Sequence, residues 1–292
     1  MIEPSTGARS VKSLVTVYTP ESPLRQPRKF VRELISDLWG SRELAWRLFI
    51  RDLRAQYRAS LLGYVWVFLP PLVAGLPFVY LNSAGVISIS DTPIPYAAYA
   101  MVGAIIWQTF VDALNSPLRS VNAARAMLTR INFPREAILL SGLMQVAFTF
   151  VVRLALVIGV FAAFALKPAA TSPLFVVGMI SIALTGFMIG LILTPLGVLY
   201  GDVQYSLPIA STFLMLITPV LYPVPSSGLG AMVASLNPLT PLITTTRDWL
   251  TTGASVQQVA FLVVSAVTVT LLILAWVLYR LALPHLVARL GN

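Results

Sequence analysis

Cysteine is absent from this 292-residue chain, histidine occurs once, and charged side chains make up only 11% of it. The first absence excludes disulfides, thiolate nucleophiles and Cys-based metal sites. The second leaves His285 as the sole imidazole, so any His-based catalysis or metal binding would rest on it alone. The third separates the chain from soluble domains, in which about 25% of residues are charged. No G-x-x-x-x-G-K-[ST] occurs, so the chain has no P-loop with which to hydrolyse ATP. H-E-x-x-H and G-x-S-x-G are missing too. Beyond residue 60 the carboxylates are Asp91, Asp112, Glu136, Asp202 and Asp248. No two share a face of one apolar stretch, as proton-coupled transport would require. Residues 1–28 contain no apolar run of the ~7–15 residues typical of a signal peptide.

What is present is apolar: 57% of residues are hydrophobic and mean hydropathy is +0.83. Crossing a hydrocarbon core of ~30 Å takes about 20 helical residues. Six stretches approach or exceed that length: Leu61–Leu81, Ala97–Leu114, Ala137–Leu166, Leu174–Tyr200, Ser206–Tyr222 and Val259–Tyr279. None alternates with period two, so membrane helices are expected rather than a barrel. The fold class is thus an all-α integral membrane protein with six transmembrane helices. Its expected parts are an N-terminal arm with interfacial helices (1–60), the membrane domain (61–283) and a short tail (284–292).

Charge sets the expected orientation. Residues 1–60 hold eleven Lys/Arg, 115–136 hold four, and the tail after Tyr279 holds two; the alternate loops hold only Lys167 and Arg247. By the positive-inside rule both termini and the 115–136 loop face the cytoplasm of an inner-membrane, multi-pass protein. The net charge of +9 is accounted for by topology, and nucleic acid is not expected as a partner.

Two segments carry most of the functional information. From Arg42 to Ala59, Trp46, Phe49, Ile50, Leu53 and Tyr57 form an apolar stripe at helical period. Arg47, Arg51, Arg54 and Arg58 form a second stripe about 110° away at 100° per residue. Such a helix suits the headgroup layer, apolar face down and arginines at its flank. Its arginines meet either bulk anionic lipid or an anionic, lipid-linked substrate. The second segment, Asn122 to Glu136, is short, basic and proline-stopped between two long apolar runs. It reads as a handle for a partner outside the bilayer.

Other features are positional. Lys29–Trp39 reads as a short amphipathic helix, with Gly40 as its stop and Ser41 as the next N-cap. The first span holds Pro70, Pro71 and Pro77, which kink membrane helices. Arg153 lies ~24 Å along the third span from Ala137, an expected position near the outer boundary. Asp112, near the inner end of the second span, is not its expected partner. Thr218 to Thr252 is too broken by Gly and Pro to span, and short re-entrant or interfacial helices on the outer face are expected.

The order of features resembles the permease subunit of a type-2 ABC exporter, in the branch that exports lipid-linked O-antigen, capsule or teichoic-acid polymers. The matching stretches are Glu43–Arg58 running into Leu62-Gly-Tyr-Val-Trp66, then Arg130–Glu136, Thr218–Pro223 and Asn237–Pro241. Tyr18–Leu24 is similar to the arm of O-antigen permeases. The resemblance implies a non-hydrolytic homodimer working with two copies of an ATPase that binds ATP and Mg. It implies a coupling helix within 120–136, at roughly Asn122–Ile131. Coupling would use Asn122, Arg125, Met127, Leu128, Arg130, Phe133, Arg135 and Glu136. It also implies that a polyprenyl-diphosphate-linked glycan approaches Arg47, Arg51, Arg54 and Arg58. The expected passage residues are Trp66, Phe68, Tyr80, Trp107, Phe110 and Arg153. The chain departs from the family where Gly201-Asp202-Val203 replaces an Arg-Asp-Val, leaving Asp202 to cap the next helix. Alternatives are a type-2 ABC permease for small molecules or drugs, a membrane-embedded transferase and a non-transporting scaffold.

Overall fold

The computed structural model describes residues 36–58, 61, 65–86, 89, 92–128 and 136–290, without the side chains of 57, 66, 67, 71 and 283–290. Within these residues every regular element is helical, and no strand occurs. After a helical turn at 36–40 come α1 (Arg42–Arg58), α2 (Val65–Ser83), α3 (Tyr96–Ala123), α4 (Arg125–Leu128) and α5 (Glu136–Ala163). They are followed by α6 (Ser172–Leu199), α7 (Asp202–Ile217), α8 (Gly228–Leu236), α9 (Leu239–Thr251) and α10 (Gln258–Leu290).

Four helices are long and apolar enough to cross a membrane: α3, α5 and α6, of 28 residues each, and Gln258–Ala282 of α10. At 1.5 Å per residue the 28-residue helices are about 42 Å long, ample for a ~30 Å core. The other two expected spans come out shorter. The apolar part of α2 is Phe68–Ser83, and α7 has 16 residues, ending where Pro219 removes the next backbone donor. The expected second span ends at Leu114 but continues to Ala123. Pro117, three residues past that expected end, is accommodated inside α3.

α3 and α6 form the centre of the bundle. Trp107 and Phe110 on α3 are almost fully buried, as are Met179, Ile182 and Leu191 on α6. Their close approach depends on Gly186 and Gly190, a small-xxx-small pair. A Cβ at Gly190 would stand 2.1 Å from the Leu114 carbonyl oxygen, and one at Gly186 2.5 Å from that of Phe110. α10 joins α6 through a Thr185–Thr268 hydroxyl contact of 3.1 Å, while most of its large apolar side chains stay exposed. α1 lies on α5, and α2 packs along α3 with Gly75 facing Ala100.

One end of the bundle is closed by α8 and α9, the short helices expected between Thr218 and Thr252. The connection after α5 is tied to α9 by the Ala169 amide, which donates to Leu250 O at 3.0 Å. Thr171 Oγ1 donates to Trp249 O at 2.8 Å. The opposite end carries α1, α4 and the start of α5.

Candidate functional site

α1 has three faces. Ala45, Leu48, Phe49 and Leu53 are buried against the bundle, with Ala45 and Leu48 on Ala137 and Phe49 6.4 Å from the Phe148 ring. The expected apolar stripe therefore divides. Phe49 and Leu53 dock on protein, whereas Trp46 is exposed and Ile50 half-buried. Arg47, Arg51, Arg54 and Arg58 are all exposed. At 100° per residue their stripe is turned about 200° from the docked face and about 90° from Trp46 and Ile50. Together these side chains, with Ala55, line an open groove. The docked face is what fixes the others: with it held on α5, the arginines project away from the protein.

Two arginines are partly engaged. Arg47 pairs with Glu43 at 2.7 Å along the exposed helix, and Arg51 pairs with Asp52 at 2.7 Å. Arg51 also donates from Nη1 to the Met127 sulfur at 3.1 Å. The arginine helix thus touches the basic segment directly.

Within that segment, Asn122 belongs to the end of α3, and its amide donates to Gln204 in the first turn of α7 at 3.0 Å. Arg125 is exposed on the single turn of α4, and Leu128 is buried. Arg130, Phe133 and Arg135 lie outside the described residues. Glu136 opens α5 and accepts from Arg280 Nη1 at 3.2 Å, while Arg280 Nη2 donates to Asp37 at 2.7 Å. One arginine on α10 therefore joins the 36–40 turn, the end of the basic segment and the last long helix. Sequence reading did not find this knot, since its members lie up to 243 positions apart.

The expected passage residues scatter. Tyr80 is exposed and Phe68 half-buried on α2, and the Trp66 side chain lies outside the described residues. Trp107 and Phe110 do not face a passage in this chain. They are buried between helices with ring centroids 5.1 Å apart. Arg153 is likewise not at a boundary. It is buried and pairs with Asp112 at 2.6 Å. Because α3 extends to Ala123, Asp112 is residue 17 of its 28, and Arg153 is residue 18 of the 28 in α5. Side chains tilt toward the N-terminus of their own helix. In these antiparallel helices the two therefore lean toward each other. Two smaller expectations also change. The Ser41 hydroxyl donates back to Asp37 O instead of capping α1, and Gly201 occupies the N-cap of α7 with Asp202 in its first turn.

At the α9 end the structure brings two sequence stretches together. Asn237 Nδ2 donates to Thr218 Oγ1 at 2.7 Å, and its Oδ1 accepts from the Leu239 amide at 2.9 Å, capping α9. Arg247, fully enclosed, donates to the Val220 carbonyl at 2.9 Å and lies 3.8 Å over the Tyr99 ring. Burial raises the neighbouring Asp248 carboxyl above the usual range, opposed by a hydrogen bond from Ser255 and by Arg247. None of the described residues form a cluster of His, Cys, Asp and Glu suited to a metal.

Comparison with known proteins agrees with this order of elements. The O-antigen export system permease protein RfbA of Myxococcus xanthus is 28% identical over 215 residues, 72% of this chain and 81% of that protein. Two proteins of the same name from Klebsiella pneumoniae are 23% and 22% identical, over 70% and 77% of this chain and 78% and 87% of their own lengths. This chain is a relative of O-antigen export permeases. No protein-family model matches it. The similarity is that of a permease subunit of a type-2 ABC exporter, carried on membrane-crossing helices.

Proposed function

We propose that this chain is the transmembrane subunit of an ATP-driven exporter that moves a polyprenyl-diphosphate-linked polysaccharide across the cytoplasmic membrane. The observation that carries the reading is the three-faced α1 helix in contact with α4. One face is docked on α5, one is apolar and open, and the arginine face reaches Met127. A helix so divided can place Trp46 and Ile50 in lipid and hold its guanidinium groups at phosphate level. Arginine binds phosphate through paired, charge-assisted hydrogen bonds, which a diphosphate can occupy more than once.

The chain then has six crossings, α2 and α7 being the two short ones, with both termini and α4 in the cytoplasm. It works as a homodimer with two ATPase subunits, which hold the ATP and Mg. The broad exposed face of α7, with Tyr205, Ile209 and Phe213, supports a passage or subunit contact there. The ATPase grips the segment 122–136, and Arg51–Met127 relays its motion to the helix that holds the substrate phosphates.

The test is a pair of variants in cells that make the polymer. Arg51→Gln with Arg54→Gln and Arg58→Gln is expected to lower surface polymer while the ATPase still co-purifies. Arg125→Glu with Arg130→Glu is expected to abolish ATPase assembly or export with the helices intact. Undiminished polymer in both would overturn the reading.

A further inference from the structure

One polar track is left unused by the site above. On α5, Gln145, Thr149 and Arg153 recur at four-residue spacing and so share a helix face. Gln145 donates to Gln56 at 2.7 Å, and Gln56 sits between Arg54 and Arg58 on α1. Eight residues farther on, about 12 Å along the helix, stands the Arg153–Asp112 pair. Arg153 uses only Nη2 there. Its Nε and Nη1 are buried and donate to nothing among the described residues. Asp112 remains 29% exposed, and Asn115, one turn away on α3, is half-buried.

Both partners lie near the middle of 28-residue helices. An ionisable pair at that depth faces a bundle interior or a wetted cavity, since hydrocarbon solvates it poorly. Asp112 cancels the charge of Arg153, so a further anion gains little from the site. What the unmet guanidinium donors, the carboxylate and the Thr149 hydroxyl fit is a neutral group rich in hydroxyls, which both accepts and donates.

We propose that Asp112, Thr149 and Arg153, reached past Gln145, form an intramembrane subsite for the uncharged sugars next to a diphosphate seated on Arg51, Arg54 and Arg58. The subsite rests on the function proposed above and adds a second recognition step to it. The arginines of α1 read the phosphates, and the α3–α5 pair reads whether a glycan is attached.

The experiment uses the full-length protein with its ATPase in nanodiscs and two probes: bare polyprenyl diphosphate, and the same lipid carrying a neutral disaccharide. The wild type is expected to bind the disaccharide lipid about tenfold more tightly, the scale of one hydrogen bond to a charged group. Replacing a buried ion pair by apolar residues of similar size often preserves stability. Asp112→Leu with Arg153→Met is therefore expected to keep bare-lipid affinity and lose the preference. A preference intact in that variant overturns the subsite. Should it fail to assemble, Asp112→Asn is expected to lower the preference at least about threefold, and an unchanged preference there overturns the subsite equally. A wild type that binds both probes alike defeats the subsite only. One that binds neither defeats the function it rests on.

Discussion

Arginine is used in opposite ways at the two ends of the bundle. At the α9 end Arg247 is enclosed by the Tyr99 ring and the carbonyl of Val220, and its neighbours close over it. At the α1 end Arg47, Arg51, Arg54 and Arg58 stand on a face turned away from the helix they dock on. A buried guanidinium is costly unless its donors are met, so it holds one geometry and resists change. An exposed one costs little to fold and is left available for binding. One end is built to stay closed, the other to engage.

Substitutions can break or sharpen that contrast. The largest effect is expected for Arg247→Met, which removes the hydrogen bond to Val220 and the contact with Tyr99. A loss of about 3 kcal/mol or more is expected, read as a lowered thermal midpoint of the purified protein. Next is Gly103→Ala. A Cβ there would lie 2.1 Å from the Val220 carbonyl oxygen, so α3 must move off the turn after α7, at a cost of about 1–3 kcal/mol by the same measurement. The triple change of Arg51, Arg54 and Arg58 to Gln is expected to stay within about 0.5 kcal/mol per site, as exposed positions do, while surface polymer falls. Arg47→Gln, which opens only the exposed pair with Glu43, is expected to shift stability by about 0.5 kcal/mol or less. A triple variant as unstable as Arg247→Met would erase the distinction between the two ends.

Sequence made the helices of this protein legible because apolar length is a local property. The starts of α3, α5, α6 and α10 fall within two residues of expectation. It placed the arginine stripe of α1 for the same reason: one helix period suffices to see it. What it missed depends on pairs distant in the chain. Arg153 and Asp112 looked unrelated because the end of α3 was set at Leu114, where hydropathy fades, and not at Ala123, where the helix stops. Trp107 and Phe110 looked like passage residues because an aromatic in a span carries no mark of which neighbour covers it. The docked face of α1 was hidden for a related cause. Ala45 is too small to register as hydrophobic patterning, yet it is fully buried because α5 approaches there.

The junction at Arg280 has a consequence for how the chain is made. Its partners Asp37 and Glu136 emerge long before it, and the interval from Asp37 to Arg280 is 243 residues. At ~5–20 residues per second, that is about 12–50 s of synthesis. Through that time the early turn and the start of α5 have been made and their shared arginine has not. When α10 is complete, a single side chain fastens beginning, middle and end together, and an open string of helices becomes a loop.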